Sequence, residues 1–450
     1  MVSGVKVFIA SFGCASNLAD SNTLAGCLVD AGFSVVDRLE DANVVIVNTC
    51  AVKGPTENRV ISFLKKISPN KKLIVAGCLP LINFHRLNRE VRFDGVVGPA
   101  FGERIVDVVK HVLNGEKIVD LENSLEAKPR LDLPCFRLNK IVDVIPIAYG
   151  CLGECAYCCV RFARGKLRSY PPEEIVKRVK RSLRQGVREI WLCSQDTAIY
   201  GWDINHNLPE VLRKICEIKD SNFIVRVGMM RPDHALQIAD ELAEVYSEFG
   251  GEEHFARIAE NEPSGGCIFW FLHLPVQSGD NQVLAMMNRN YTVEDFKHVV
   301  NIFRNKLGSK LRLSTDVIVG FPGETEEAFK RTLRLIEEVK PDTVNVSKFF
   351  PRPRTEAEKM EPKIDNRVIK ERSRVMSELA LKIGLESNRK WLDWEGYIFV
   401  DEKGLKANSQ IGRNYAYTPL VLVNEDTLLE KFVKVKVEEA HPTYLKAELC

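Results

Sequence analysis

Gly150-Cys151-Leu152-Gly153-Glu154-Cys155-Ala156-Tyr157-Cys158 is the stretch from which the rest of this 450-residue chain is read. It follows the apolar run Val142 to Tyr149, so the local expectation is a strand that ends in a tight loop bearing three thiols. Thiolates are soft ligands and suit zinc or iron–sulfur centres. Structural zinc is usually closed by four Cys or His ligands, and clusters used for electron transfer by four cysteines. Three thiolates can hold a four-iron cluster and leave one iron open to a small molecule. No His or fourth Cys stands at zinc-ribbon spacing, and neighbouring Cys159 is expected to point away. The spacing alone leaves a zinc site and a disulfide cage as alternatives.

The loop resembles that of the radical S-adenosylmethionine (SAM) enzymes, including the aromatic Tyr157 just before the third Cys. That resemblance implies a [4Fe-4S] cluster on Cys151, Cys155 and Cys158, with SAM on the open iron and Tyr157 against its adenine. Cleavage of SAM to a 5′-deoxyadenosyl radical is the chemistry so implied.

Composition bounds the rest. A chain of 450 residues with 45% apolar content is an ordinary globular protein with room for roughly two to four domains. The 63 basic and 61 acidic side chains give a net charge of +2, so a nucleic-acid footprint has to be local. Met1 to Asn17 lacks a basic start followed by a long apolar run, and no apolar stretch reaches the roughly 18 to 20 residues of a membrane span. With thirteen cysteines, reduced thiols in a cytoplasm and no membrane partner are the expectation.

The N-terminal hundred residues alternate short apolar runs with helical ones. Lys6 to Ser11 ends at Gly13-Cys14, Val44 to Val47 at Asn48-Thr49-Cys50, and Leu73 to Ala76 at Gly77-Cys78, with a helix expected over Asp20 to Asp30. Such alternation predicts an α/β, doubly wound parallel sheet, whose ligands sit beyond the carboxyl ends of the strands. One cysteine there is often a small buried hydrophobe. Three at the same structural position point to a second three-thiolate site of Cys14, Cys50 and Cys78. Gly13 and Gly77 are placed to let backbone approach a bulky ligand, and mid-helix Cys27 reads as core.

SFGCASN, NTCAVK and AGCLP, followed by the radical SAM loop, resemble the methylthiotransferases, and the similarity runs through the whole chain. It implies two [4Fe-4S] clusters and SAM: one cluster generates the radical, and the auxiliary one delivers the sulfur that replaces C–H by C–SCH3. An electron donor and a sulfur source, both unidentified, are implied partners.

Asp120 to Cys135 is polar, carries Pro129 and Pro134, and reads as a linker. Beyond it, strand runs at Glu189–Cys193, Phe223–Val227, Ile268–Leu274, Leu311–Val319 and Thr343–Phe349 alternate with helical ones, giving six βα units with Val142 onward. The resemblance implies the six-stranded partial (β/α) barrel of radical SAM proteins, with the site at the strands' C-terminal ends. It places SAM contacts at Ser194 and Gln195, Gln277 and Asp316, besides Tyr157. Gly320 to Thr325 reads equally as a strand-to-helix turn capped by Thr325. The acidic, glycine-bracketed stretch 250–266 is longer than the family leads one to expect, and no function is read from it.

After a helical connector, Asn366 to Trp391, four short strand runs between Trp394 and Leu449 predict a small β-barrel. Ile411 to Tyr415 and Ala440 to Leu445 resemble the TRAM domain, an RNA-binding barrel. The expected domains are 1–115 with the auxiliary cluster, 137–370 as radical SAM core, and 388–450 as TRAM. Arg164 and Lys166 after the cluster loop, Arg352, and Arg413 are the expected nucleic-acid contacts; Arg354 stands where the family usually has Gly. Arg226-Val227-Gly228-Met229-Met230-Arg231-Pro232 is similar to the subgroup that methylthiolates N6-threonylcarbamoyladenosine beside the tRNA anticodon. Gln195-Asp196-Thr197 with Tyr200-Gly201 is similar to the enzymes acting on a ribosomal-protein aspartate. An iron–sulfur RNA-binding regulator without chemistry is the non-enzyme alternative.

Overall fold

The structure is a computed structural model that describes residues 4–121, 126, 128–137 and 139–450. The linker expected over 120–135 lies partly outside them. The chain packs as two compact units, one of residues 1–170 with 193–195 and 350–359, the other of 171–192, 196–349 and 360–450.

The first unit is built on a six-stranded parallel sheet. Its order is Ser34–Val36, Lys6–Ser11, Val44–Thr49, Lys72–Gly77, Gly95–Val97, Ile118–Asp120. Val44, Val45, Ile46 and Val47 are all fully buried, because helices cover both faces. Val45 and Val47 join one apolar core while Val44 and Ile46 join the other, as the two-residue period of a strand requires. Each such side chain contributes about 1.5–3 kcal/mol by leaving water. The three outer strands of three residues each are too short for alternation to show in sequence. The order turns back at Lys6–Ser11, which has the second strand on one side and the third on the other, so the loops after Ser11 and Thr49 flank the switch point.

The first helix runs Ala15–Asp30, five residues longer at its start than expected. Its first turns bury Ser16, Asn17, Asp20, Ser21 and Asn22, so the apolar period is absent where the helix begins.

In the second unit Glu189–Cys193, Phe223–Val227 and Gly266–Ile268 run parallel, as do Phe271–His273, Arg312–Val319 and Thr343–Lys348. The expected strand Ile268–Leu274 is therefore split. At the break, Phe269 donates its amide to Val225 O (3.0 Å) and Trp270 donates to Tyr415 O (2.9 Å). Thr325 does cap the helix Glu326–Val339, its hydroxyl accepting from Ala328 N at 3.1 Å.

The C-terminal strands Glu395–Lys403, Ser409–Arg413, Pro419–Val423, Leu445–Leu449 and Phe432–Ala440 close into a barrel in that order. Ser409–Arg413 is a fifth strand that the sequence reading took only as motif. The 250–266 stretch contains a helix, Glu252–Ala259, that packs on this barrel. Trp394 Nε1 donates to Glu252 (2.6 Å), Tyr397 to Glu260 (3.1 Å), and the Phe255 and Phe432 rings lie 5.5 Å apart.

Candidate functional site

Cys14 stands three residues past Ser11, Cys50 directly after Thr49, and Cys78 directly after Gly77, all at one edge of the parallel sheet. Asn17 fastens the loops together: its Nδ2 donates to Phe12 O (2.8 Å) and Thr49 O (3.0 Å). Asn48 Nδ2 donates in turn to Asn17 O (2.8 Å) and Ser21 Oγ (2.9 Å), and Cys78 N to Thr49 O (2.9 Å).

The two glycines work differently from the expectation. Both have positive φ (115° and 94°), but a Cβ on Gly13 would lie 2.6 Å from Cys50 Cβ, and one on Gly77 would lie 2.4 Å from Asn48 Oδ1. They bring the cysteine loops against each other.

Cys14 is exposed, whereas Cys50 and Cys78 are buried. Burial pushes the Cys50 thiol up and the Cys78 thiol to about 12, while the Arg164 guanidinium pulls both back. Among the described residues no three His, Cys, Asp or Glu side chains close around a single metal ion. A cluster whose cysteines bind different irons does not require that closeness.

The second loop is folded by its glycines. Gly150 has φ 77°, and a Cβ there would lie 1.9 Å from Lys166 O. Cys151 N donates to Gly165 O (3.2 Å), Gly153 N to Cys151 Sγ (3.2 Å), and Cys158 N to Cys155 O (3.0 Å). Cys151, Cys155 and Cys158 are half-buried, and burial pushes the Cys158 thiol up to about 12. Cys159 turns away into the N-terminal core, its Sγ 3.6 Å from Ala51 O. Cys27 is likewise core.

Of the residues expected at SAM, Tyr157 is half-buried between Cys155 and Cys158, and Ser194 is half-buried after its strand. Gln195 accepts from Gly150 N (2.7 Å) and donates to Ser16 Oγ (3.2 Å), so its amide braces the cluster loop. In the second unit Gln277 and Asp316 adjoin. Gln277, at φ 68°, donates its amide to Asp316 O (2.8 Å), and the Asp316 carboxylate takes His273 Nε2 (3.2 Å) and Asn345 Nδ2 (2.8 Å).

Three of the four expected nucleic-acid contacts are engaged by carboxylates, two of them buried. Arg164 is 2% exposed and pairs with Asp20 (2.7 Å). Arg352 pairs with buried Glu57, and Arg413 with Asp401 and Glu402. A cation in a short, charged motif looks the same in sequence whether it faces solvent or a buried carboxylate. Lys166 alone of the four is exposed. Arg354 takes a left-handed conformation (φ 67°), one that favours glycine, and stacks its guanidinium 4.6 Å from the Phe162 ring. Arg231 is engaged by Asp233 (2.8 Å), and Arg226 lies about 5 Å from the rings of Trp191, Phe271 and Tyr417. The set Asn17, Asp20 and Arg164 escaped the sequence reading; its trace was the run of polar residues at buried helical positions.

Three family models match: the radical SAM superfamily over residues 145–336, an uncharacterized protein family, UPF0004, over 6–98, and the TRAM domain over 398–450. A probable threonylcarbamoyladenosine tRNA methylthiotransferase of Pyrococcus abyssi is 40% identical over 448 residues, covering 99% of each chain. The chain belongs to the threonylcarbamoyladenosine tRNA methylthiotransferase family. The Homo sapiens threonylcarbamoyladenosine tRNA methylthiotransferase is 33% identical, over 98% of this chain and 74% of its own. Among solved structures, the radical SAM methyltransferase TsrM of Kitasatospora setae shares the fold, with a TM-score of 0.54 at 15% identity over 79% of this chain and 77% of that one. Methylthiotransferases of this family use SAM and two [4Fe-4S] clusters. No described helix is long and apolar enough to cross a membrane.

Proposed function

We propose that this protein converts N6-threonylcarbamoyladenosine beside the tRNA anticodon to its 2-methylthio derivative, in the cytoplasm. The observation that carries the reading is the pair of three-cysteine sets, one on a single loop turned at Gly150 and one on three loops of which two turn at Gly13 and Gly77, all at positive φ, in a chain whose relatives match it end to end. Residues 1–115 carry the auxiliary site, 137–370 the radical SAM core and 388–450 the RNA-binding barrel. Cys151, Cys155 and Cys158 are the ligands of the radical-generating cluster, and Cys14, Cys50 and Cys78 those of the auxiliary one. With SAM bound, these groups supply hydrogen abstraction and sulfur transfer, which acid–base chemistry cannot offer at an aromatic C–H lacking an acidic proton.

The chain's own residues bind, orient and shield. Gln195 holds Gly150 and so fixes the mouth of the cluster loop. Tyr157 and Ser194 in the first unit, and Gln277 and Asp316 in the second, are the candidate SAM contacts. For tRNA, Lys166 and the exposed Lys403, Lys406, Lys431 and Lys434 of the barrel take the place of the carboxylate-paired arginines as phosphate contacts. The adenine must leave its stack to be reached. The electron donor and the sulfur source come from outside the chain.

The test separates the two cysteine sets. Alanine at Cys151, Cys155 and Cys158 is expected to abolish both SAM cleavage and methylthiolation. Alanine at Cys14, Cys50 and Cys78 is expected to leave SAM cleavage and remove sulfur insertion. 5′-Deoxyadenosine from the first variant, or methylthiolated nucleoside from the second, would contradict the ligand sets.

A further inference from the structure

A cation set among packed strands normally has an anion beside it, because an uncompensated charge out of water is costly. Arg226 has none. It sits in the strand Phe223–Val227, in register with Trp191 of the neighbouring strand. Its guanidinium lies 5.0, 5.1 and 5.0 Å from the ring centroids of Trp191, Phe271 and Tyr417, which attract the cation by their π faces. It makes no hydrogen bond or ion pair among the described residues, and its Nε is buried without a partner. The acids around it are engaged elsewhere. Asp401 pairs with Arg413, and Glu189 accepts from Trp191 Nε1 at 2.5 Å. Burial pushes the Glu189 carboxyl up to about 8, so at neutral pH it is mostly protonated and leaves Arg226 without a counter-charge. Further along the strands, Asp316 is taken by His273 Nε2 (3.2 Å) and Asn345 Nδ2 (2.8 Å). The face that carries these polar groups is the open one. Arg226, Trp191, His273 and Asp316 are half-buried and Asn345 is exposed, whereas Leu192, Val227, Leu272 and Val317 on the opposite face are at most 2% exposed.

We infer that Arg226 is a specificity-determining residue that binds the carboxylate of the threonylcarbamoyl group on the substrate adenosine. The inference rests on that substrate reading. Adenosine itself carries no anion on its base, and the threonyl moiety adds one free carboxylate. A planar guanidinium matches a carboxylate with two parallel N–H donors. The three rings hold that fork and keep water from it, so the pairing is felt more strongly than at a solvated lysine. A neutral group of the same size would leave the cation unpaired, and such a contact rejects the wrong substrate more sharply than an apolar pocket does. Arg231, five residues on, is not available for this role because Asp233 takes it at 2.8 Å.

The experiment uses the reconstituted full-length chain with SAM, reductant and sulfide, and two anticodon stem-loop RNAs. One bears N6-threonylcarbamoyladenosine and the other its methyl ester, which keeps the size and removes the charge. The wild type is expected to methylthiolate the acid with a kcat/KM at least about tenfold above that of the ester, as a hydrogen bond to a charged group warrants. Arg226→Gln is expected to bring the two values together. Arg226→Lys, which keeps the charge without the fork, is expected to restore part of the preference. The ratio is internal to each preparation, so a partly unfolded variant lowers both values and leaves it unmoved. Equal values for acid and ester in the wild type would overturn the inference, and so would an undiminished preference in the variants. It would also be overturned if Arg226→Gln raised the KM for SAM at least about tenfold with the acid preference intact, because the cation would then hold the carboxylate of SAM. A wild type that methylthiolates neither stem-loop would refute the substrate reading and take the inference with it, whereas one that accepts both equally would refute the role of Arg226 alone.

Discussion

Glu189 opens its strand fully buried, facing Asp401, Arg413, Arg226 and Tyr417, with Trp191 Nε1 donating to it at 2.5 Å. Burial is the main cause, and the Asp401 carboxylate the next, of a pKa pushed up to about 8, against the pull of the two arginines. For an acid raised on folding, the stabilisation is whole below the unfolded value of about 4.3 and is lost as pH climbs through the folded one. Thermal stability should therefore fall between about pH 5 and pH 8 and level off above that, and Glu189→Gln, which mimics the protonated form, should flatten that fall. An unchanged pH profile in the variant would place the titrating group elsewhere. Gly150 gives a second prediction at this scale. Its alanine variant must move the Lys166 carbonyl that lies 1.9 Å from the new methyl. We expect it to lose iron from the radical loop, measured as reduced iron content with the auxiliary cluster retained.

At the scale of elements, the helix Glu252–Ala259 holds the C-terminal barrel to the rest of its unit. Phe255 is its apolar anchor, 1% exposed and packed between Phe269 and Phe432. Phe255→Ala should cost about 3–5 kcal/mol, read by thermal unfolding, and should make the barrel susceptible to limited proteolysis. Equal protease resistance would leave the helix a surface ornament. This role was not legible in sequence, because the glycine-bracketed, acidic stretch shows where a loop turns and not what its helix meets. Long strands were legible: Val44–Thr49 is read from its run of branched residues. The split at Phe269-Trp270 was not, since it arises from Trp270 pairing with Tyr415 nearly 150 residues away, an interaction no local pattern carries. The six cysteines were legible as candidate ligands because local spacing and strand ends carry that signal, while Arg164, Arg352 and Arg413 read as open cations. Their partners Asp20, Glu57 and Asp401 are distant in sequence or lie on another strand.

For the whole molecule, a net charge of +2 makes tRNA binding depend on a few local lysines. Changing Lys403 and Lys406 to alanine should weaken tRNA binding and lower the slope of log affinity against log salt by about 0.9 for each phosphate no longer neutralised. An unchanged slope would move the RNA surface off that hairpin. Arg413→Ala should instead act on stability, because it strands the buried Asp401 carboxylate. The central claim is the substrate, and nucleoside mass spectrometry tests it most directly. The reconstituted protein, with SAM, reductant and sulfide, is offered tRNA bearing N6-threonylcarbamoyladenosine, the same tRNA lacking the threonylcarbamoyl group, and a small-subunit ribosomal protein. The account predicts the mass gain of one methylthio group on the threonylcarbamoyl nucleoside, with the unmodified tRNA and the ribosomal protein unchanged. Equal modification of both tRNAs would contradict recognition of the threonylcarbamoyl group, and a gain confined to the ribosomal protein would contradict the substrate itself.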